Sequence, residues 1–316
     1  MLLNYEAKGR SLLGIDGGAT KTEFVLFYED GHVLNRITLE GCNPNVCGIE
    51  KSCAILKSGI DAMISDQHSV LGVFAGIAGS MSGCNQQKLY QFFESAYPHM
   101  KVTIGSDILN VIFCADKIDR CAAVICGTGF VIYANEYGKL SRVGGWGYLL
   151  DDASGGYGLG REALKAVLAY EDGFGEETLL TSLIRKKLGS SVWESIGEIY
   201  SGGDRYIASF SPLVFEAYMQ HDAIAEKILH TYTDKVVELI KYTLNRYDCN
   251  YTVVISGGLL NNEIMLSTLK EKMGNDVKLV LPELPQIYGA CRRAVTLYGE
   301  VSENFEENFK RNIFRR

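Results

Sequence analysis

The sequence predicts an α/β protein built from two similarly folded domains, with a helical insertion in the second domain. The main reason is an internal repeat, in which Thr22–Gly31 (TEFVLFYEDG) aligns with Thr128–Gly138 (TGFVIYANEYG). Each copy also follows an apolar strand that runs into a glycine-rich turn. A repeat on this scale indicates a duplicated domain, and the length of 316 residues suits two domains.

The first glycine turn lies within Leu13–Glu23 (LGIDGGATKTE), between two apolar runs. We predict a strand, a tight turn and an antiparallel strand. The backbone N–H groups and a hydroxyl of such a turn can contact an anion, while Asp16 can hold a cation. The alternative is an ordinary hairpin whose glycines only supply positive φ.

The second glycine turn, in Cys121–Gly129 (CAAVICGTG), repeats this arrangement. We expect the two turns to face each other across a cleft, where together they form a two-sided phosphate clamp.

The rest of the first half predicts the order β-β-β-α-β-α-β, followed by a further helix. After the hairpin, the apolar spacing predicts the following elements in turn: a strand at Gly31–Leu39, an amphipathic helix at Ile49–Ile64, a buried strand at Ser69–Ala75, a helix at Gln86–Tyr97 and a strand at Lys101–Gly105.

The second half starts in the same way and then carries the most unusual loop of the chain, Gly144–Gly160 (GGWGYLLDDASGGYGLG). We expect Trp146 to pack beneath this loop. A helical insertion at Arg161–Tyr247 follows, and then the predicted elements are a strand at Tyr251–Ser256, a helix at Asn262–Met273, a strand at Val277–Leu281 and a last helix at Ile287–Tyr298.

Composition excludes several partners. The net charge of −7 argues against a nucleic-acid surface, which needs a basic stripe. The longest uncharged apolar run, Cys121–Ala134, is too short and too glycine-broken to span a bilayer. The nine cysteines show no paired spacing and the Met1 end shows no signal-peptide pattern, so we expect free thiols in a reducing cytoplasm.

Five motifs, DGGATKTE, CGTG, GGWGYLLDD, SGGLLNN and PQIYGA, occur in this order between Leu13 and Ala290. They resemble the motifs of the N-acetylglucosamine kinase family, which belongs to the BadF/BadG/BcrA/BcrD-type ATPases of the actin, Hsp70 and sugar-kinase superfamily. The resemblance implies two ribonuclease H-like domains, residues 1–117 and 118–316, around a central nucleotide and sugar cleft. It also implies ATP and Mg2+ as cofactors, an amino sugar as the small-molecule substrate, a role in amino-sugar metabolism and cell-wall recycling, and a homodimer.

The resemblance assigns roles to individual residues. The first phosphate loop is formed by Asp16, Gly17, Gly18, Thr20 and Lys21, with Asp16 holding Mg2+ through water. The second phosphate loop is formed by Gly127, Thr128 and Gly129. The adenosine pocket is lined by Gly257, Gly258 and Asn261. The general base is Asp107, and the sugar is bound by Asn45, Gly145 and Asp152.

The sequence departs from the family pattern mainly on the sugar side. Phe130 and Val131 replace the serine and asparagine of GTGSN, Ala153 replaces the glutamate of GDEGS, and Cys47 stands where the family has the tryptophan of Asn-His-Trp. These changes leave the sugar open between N-acetylglucosamine and a bulkier relative such as N-acetylmuramic acid.

Two alternatives concern function as a whole. An ATPase activator of a dehydratase shares the fold, but it needs iron–sulfur cysteines in a glycine–cysteine context that this chain lacks. A non-catalytic actin-like ATP-binding module needs neither the GGWG…DD loop nor an acidic residue at the position of Asp107. For Asp107 itself, the alternative to a base is the N-cap of the helix that follows it.

Overall fold

The computed structural model describes residues 10–64, 70–115, 119–137, 139–151 and 155–313. Their contacts divide the chain into two compact units, with boundaries at 116/117 and 281/282. Unit 1 contains the N-terminal segment and Pro282–Arg316, and unit 2 is Lys117–Leu281.

The N-terminal segment of unit 1 forms a five-stranded sheet in the order β3-β2-β1-β4-β5. The β1–β2 and β2–β3 pairs are antiparallel, whereas the β1–β4 and β4–β5 pairs are parallel. The strands are β1 (Ser11–Gly17), β2 (Lys21–Tyr28), β3 (Val33–Glu40), β4 (Val70–Ile77) and β5 (Val102–Gly105). The helices of this segment are α1 (Pro44–Cys47), α2 (Ile49–Met63), α3 (Asn85–Ala96) and α4 (Ile108–Ile112).

Unit 2 repeats this sheet, in the order β8-β7-β6-β9-β10. Its strands are β6 (Arg120–Cys126), β7 (Phe130–Glu136), β8 (Lys139–Val143), β9 (Thr252–Ser256) and β10 (Lys278–Val280). The same two antiparallel pairings are followed by the same parallel ones. The predicted duplicated α/β fold with two glycine hairpins is therefore confirmed.

The predicted helical insertion of unit 2 is also present, but it begins earlier than expected, at Gly156 rather than Arg161. Its helices are α5 (Gly156–Glu171), α6 (Leu179–Leu188), α7 (Ile196–Ala208), α8 (Ser211–Met219) and α9 (Ala223–Arg246), and α10 (Glu263–Met273) follows β9. The early start reflects tertiary packing, because glycines in the first turn of α5 have little intrinsic helix propensity. Among the described helices, none is long and apolar enough to cross a membrane.

The C-terminal segment consists of α11 (Gln286–Tyr298) and α12 (Phe305–Ile313). The sequence-based division placed it in the second domain, whereas the structure groups it with unit 1 because α11 packs on β1. Gly14 of β1 makes this approach possible, since a Cβ there would lie 2.6 Å from Cys291 Sγ of α11. The sequence analysis also missed α12, whose Phe305 and Phe309 are buried.

The central strand β1 is buried on both faces. Leu13 and Ile15 pack with α2 and α3, whereas Leu12 packs with α11 and α12. Successive side chains of a strand point to opposite faces, so the unbroken apolar run of β1 matches a strand covered on both sides. The carboxyl end of this covered strand carries Asp16.

Candidate active site

The first glycine turn of unit 1 is held by backbone hydrogen bonds. Gly18 N donates to Lys21 O at 2.9 Å, and Ala78 N donates to Gly17 O at 2.8 Å. Gly41 lies against the same turn, since a Cβ there would be 2.2 Å from Ala19 O. The turn therefore has a fixed shape, which an anion-binding turn requires. Thr20 is exposed at its tip.

Lys21 is tied to a buried carboxylate. Its Nζ lies 2.8 Å from Glu23 Oε2, and Arg36 Nε donates to Glu23 Oε1 at 2.9 Å. Burial raises the pKa of Glu23, but the hydrogen bonds and charges of Lys21 and Arg36 outweigh it, so the pKa lies below its usual value. Lys21 keeps 62% of its side-chain surface exposed. Its role in phosphate binding stays a prediction.

Asp16 is the penultimate residue of β1 and is half-buried. Asn110 Nδ2 of α4 donates to Asp16 Oδ1 at 2.6 Å. Burial raises the pKa of Asp16 to about 7, assisted by the nearby charges of Asp107 and Glu23 and opposed by the Asn110 hydrogen bond and by Lys21. The sequence analysis missed Asn110. The sequence does contain one indication of Asn110. It lies three residues after Asp107, and residues three apart share one face of a helix.

Asp107 follows β5 and is half-buried. It occupies the N-cap position of α4, yet its side chain makes no capping hydrogen bond. Ser106 Oγ donates to Asp107 Oδ1 at 3.0 Å. Burial raises the pKa of Asp107 above its usual value, against the lowering effect of hydrogen bonds from Ser106 and the backbone. A carboxylate with a raised pKa is better matched to accepting a proton near neutral pH than an ordinary surface aspartate is.

Asn45 belongs to a cluster of amide and hydroxyl side chains at one edge of unit 1. Asn45 Nδ2 donates to Ser82 Oγ at 3.0 Å, and Asn85 Nδ2 donates to Asn45 Oδ1 at 2.9 Å. Asn43 Oδ1 accepts from Asn45 N at 2.9 Å, as the N-cap of α1. Exposed Asn45 is thereby held in one orientation. The sequence analysis missed Ser82 and Asn85, which come together with Asn45 only through the fold.

The second glycine turn, in unit 2, is built against the start of α5. Gly156 N donates to Gly127 O at 2.7 Å, and Tyr157 N donates to Thr128 O at 3.0 Å. Gly155 has φ +65°, and a Cβ there would be 2.3 Å from Gly129 O. Only a glycine therefore fits between this turn and α5.

A cavity of about 510 Å³ opens beside this turn, within unit 2. Three residues assigned to the nucleotide line it, namely Gly127, Thr128 and Gly258. Its volume is typical of sites for small organic ligands. Two further walls come from α7 and α8, through residues that the sequence analysis missed: Arg205, Ser211, Pro212 and Phe215.

The other two residues predicted to line the adenosine pocket, Gly257 and Asn261, lie near this cavity but do not line it. Gly257 has φ +107°, and a Cβ there would be 2.3 Å from Cys126 O, so it allows β9 to turn closely over β6. Asn261 is exposed, and its neighbour Asn262 lines the cavity instead and caps α10.

A larger cavity of about 610 Å³ lies between α5 and α9. It contains none of the predicted site residues, and its lining carries Arg161, Lys165, Lys227 and Lys235 together with Glu162 and Glu176. Of these two cavities, the smaller one includes residues of the second glycine turn and the larger one does not.

The glycine loop after β8 presents Gly145 at φ +74°, where a Cβ would be 2.6 Å from Val131 Cβ. Trp146 N donates to Asp151 Oδ2 at 2.8 Å. The prediction that Trp146 packs beneath the loop is wrong, because 63% of its surface is exposed and the Arg142 guanidinium lies 4.5 Å from its ring centroid. A cation over an aromatic face stabilises an indole that the core does not cover. Asp152 and Ala153 lie outside the described residues.

The donors around Asp16 fit Mg2+. This ion is usually held by one or two carboxylates, its own waters and substrate phosphates, rather than by a cage of side chains. Asp16 offers such a carboxylate at a strand end, with Asn110 holding one of its two oxygens.

The two sheets and their glycine turns form the fold that is seen in solved sugar-kinase structures. The chain matches the BadF/BadG/BcrA/BcrD ATPase family over residues 13–304 and belongs to it. The membership predicted from the five motifs is thus confirmed. A solved Chromobacterium violaceum structure, described as that of a candidate N-acetylglucosamine kinase, has the same fold, with a TM-score of 0.74 at 24% identity over 90% of this chain and 98% of that one.

Two curated relatives are enzymes. An N-acetylmuramic acid/N-acetylglucosamine kinase of Clostridium acetobutylicum is 26% identical over 262 residues, which is 79% of this chain and 86% of the relative. An N-acetyl-D-glucosamine kinase of Dictyostelium discoideum is 28% identical over 282 residues, which is 82% of this chain and 88% of the relative.

Proposed function

We propose that the protein is an ATP-dependent kinase for the 6-hydroxyl of an N-acetylated amino sugar, N-acetylglucosamine or N-acetylmuramic acid, with Asp107 as the general base. The observation that carries this proposal is the placement of Asp16 and Asp107 at the carboxyl ends of strands in one sheet, joined through α4. Ligands of α/β sheets bind at this edge. The activities of the two curated relatives support the substrate class.

The chemistry needs one proton acceptor. A sugar hydroxyl is a weak nucleophile at neutral pH, so the Asp107 carboxylate accepts its proton as the oxygen attacks the γ-phosphorus of ATP. The P–O bond to the β-phosphate breaks, and the products are ADP and the sugar 6-phosphate. Positioning and charge stabilisation contribute most of the remaining catalysis in phosphoryl transfer.

The phosphates need donors and a counter-charge. Family membership supports ATP as the phosphoryl donor. The turns at Gly17, Gly18 and Thr20 and at Gly127–Gly129 would contact its phosphates through groups other than Gly18 N and Gly127 N, which already donate to Lys21 O and Gly129 O. Asp16 would hold Mg2+ through water. When bound, Mg2+ neutralises charge that develops on the transferring group.

By the family resemblance, the sugar would be contacted by Asn45, Gly145 and Asp152. Val131 packs against Gly145, so a compact apolar side chain stands where the family's asparagine is expected. Arg142 adds a cation at the same loop. Its Nε donates to Gly144 O at 3.0 Å, and among the described residues it forms no ion pair. These features support N-acetylmuramic acid, whose lactyl carboxylate an arginine recognises well.

Initial rates with N-acetylglucosamine, N-acetylmuramic acid, glucosamine and glucose test this proposal, at fixed ATP and Mg2+. We expect both acetylated sugars to be phosphorylated and glucose to be a poor substrate. Phosphorylation of glucose with equal efficiency would exclude the acetamido assignment. ATP hydrolysis without any phosphorylated sugar would favour an ATPase activator, and the NMR spectrum of the product identifies the modified hydroxyl.

A further inference from the structure

Asn110 is a fully buried amide that is hydrogen-bonded to Asp16. It lies on α4, three residues after Asp107. Its Nδ2 donates to Asp16 Oδ1 at 2.6 Å and to Gly76 O at 3.1 Å. Gly76 is the residue of β4 that pairs with Asp16 of β1, so the amide bridges two neighbouring strand ends.

The orientation of this amide is fixed by what surrounds it. Gly76 O can only accept, and ionised Asp16 can only accept, so the NH2 group of Asn110 must face them. The opposite atom, Asn110 Oδ1, is buried without a hydrogen-bond partner among the described residues. A buried carbonyl without a partner destabilises a protein. Asparagine at this position is therefore not explained by the stability of the unit.

The surrounding backbone makes room for Asn110. A Cβ at Gly76 would lie 2.1 Å from Asn110 Oδ1, and a Cβ at Gly289 of α11 would lie 1.8 Å from the Asn110 carbonyl oxygen. Arg292 of α11 also donates to Ala115 O at 3.0 Å, just after α4. Gly76 and helix α11, which carries Gly289, thus fix the position of Asn110 beneath Asp16.

We propose that Asn110 is the positioning residue for Asp16, holding Oδ1 so that the other carboxylate oxygen is directed to the metal–nucleotide complex. This inference rests on the proposed function only in assigning Asp16 to Mg2+. Asn110 contacts neither substrate nor metal and acts through Asp16. Partners of this kind orient metal ligands, and their loss typically weakens metal affinity roughly 10- to 100-fold.

The test is ADP binding to the full chain by calorimetry, with Mg2+ and with EDTA instead. The ratio of the two dissociation constants measures the contribution of Mg2+. We expect Asn110→Ala to reduce this ratio roughly 10- to 100-fold while the affinity in EDTA stays at the wild-type value. Val111→Ala is the matched control, because Val111 is a buried neighbour on α4. It should lower thermal stability without changing the ratio.

Asn110→Asp separates positioning from packing. The aspartate keeps the shape but replaces the donor with an acceptor facing Asp16 and Gly76 O. If Asn110 positions Asp16, Asn110→Asp should reduce the Mg2+ contribution to ADP binding at least as much as Asn110→Ala does. If Asn110 only fills space, Asn110→Asp should reduce that contribution less. A wild-type ratio in Asn110→Ala, or full tolerance of Asn110→Asp, would overturn the inference while leaving the kinase proposal intact. A wild-type protein that neither phosphorylates a sugar nor binds ADP more tightly with Mg2+ would overturn both.

Discussion

At the scale of single residues, the candidate site depends on carboxylates whose surroundings differ. Asp107 has a raised pKa because it is buried, with Ser106 as its side-chain donor, whereas Glu23 has a lowered pKa because two cations oppose the effect of its burial. Divergent environments of this kind separate a proton acceptor from a structural anion. We therefore expect substitution of Asp107 to reduce turnover and substitution of Glu23 to reduce the stability of unit 1.

Asp107→Asn removes the proton acceptor and keeps the size of the side chain. We expect kcat to fall by about 10²–10⁴, with the affinity for ATP nearly unchanged because Asp107 addresses the acceptor hydroxyl. Steady-state kinetics together with nucleotide binding measure both quantities. Asp276→Asn, at an exposed position with no hydrogen-bond or ion-pair partner among the described residues, is the control and should behave like wild type. Near-normal turnover in Asp107→Asn would exclude Asp107 as the general base.

Glu23→Gln should destabilise unit 1 in a pH-dependent way. The folded-state pKa of Glu23 is lowered, so the ionised carboxylate stabilises the fold above the unfolded-state pKa, and this stabilisation is lost as the pH falls through the folded-state pKa. We expect a loss of about 1–3 kcal/mol in the free energy of unfolding at pH 7. This difference should narrow as the pH falls below the unfolded-state pKa of about 4.3 and close only below the lower folded-state pKa. Denaturant titrations at pH 7 and below the folded-state pKa measure it, and an equal loss at each would exclude the ion pairs as its cause.

Arg142→Met tests the role of the Arg142 cation at the glycine loop after β8, the loop that we propose contacts the sugar. Methionine keeps the apolar stem over Trp146 but cannot pair with a carboxylate. We expect kcat/KM for N-acetylmuramic acid to fall about tenfold or more, as for a lost hydrogen bond to a charged group, while that for N-acetylglucosamine changes little. Arg36→Met, at an arginine that pairs with Glu23 instead, is the comparison variant. Parallel losses with both sugars would leave Arg142 as a support of the loop.

At the scale of elements, the second glycine turn and the start of α5 form one packed junction. Their junction has two hydrogen bonds from the first two amides of α5 and a glycine without space for a side chain. This geometry explains why the helix starts inside a stretch that reads as a loop. The cavity that we propose for the nucleotide shares the same turn, so we expect a distortion of the junction to weaken nucleotide binding.

Gly155→Ala should therefore reduce both stability and nucleotide affinity. Two effects add: strain at φ +65°, and a contact of 2.3 Å with Gly129 O, which is backbone and cannot move aside. Gly173→Ala isolates the first effect, since Gly173 has φ +82° with nothing within 4 Å. We expect about 1 kcal/mol of destabilisation in Gly173→Ala and a clearly larger loss in Gly155→Ala, where ADP affinity also falls. Calorimetry and thermal unfolding compare the pair, and equal effects would refute the steric argument.

At the scale of the whole molecule, the repeat in the sequence was sufficient to predict the fold, because both sheets depend on local patterns of apolar strands and glycine turns. Asn110 could not be predicted in this way, since its partner Asp16 lies 94 residues earlier in the chain. The exposure of Trp146 depends on three glycines with positive φ, which allow many loop conformations. The sequence contains one indication that the C-terminal segment packs on unit 1. Phe305 and Phe309 occur at helical spacing in an otherwise polar stretch.

The packing of the C-terminal segment in unit 1 leads to a prediction about fragments of the chain. Unit 2 is one continuous segment with its own core, whereas the core of unit 1 needs Ile287, Val295 and Phe309 from the C-terminal segment to cover one face of its sheet. We expect residues 117–281 expressed alone to unfold cooperatively, and residues 1–116 alone to stay unfolded or to aggregate through the exposed apolar face.

Adding residues 282–316 to the fragment 1–116, through a flexible linker, should restore cooperative unfolding. Phe309→Ala in this linked fragment should lower its free energy of unfolding by about 3–5 kcal/mol, as expected for a fully buried phenylalanine. Val301→Ala, at an exposed position of the same segment, should leave it nearly unchanged. Circular dichroism during denaturant titration measures each fragment. A cooperative transition in residues 1–116 alone would show that the sheet and its N-terminal helices suffice, and α11 and α12 would then be an addition to unit 1 rather than part of its core.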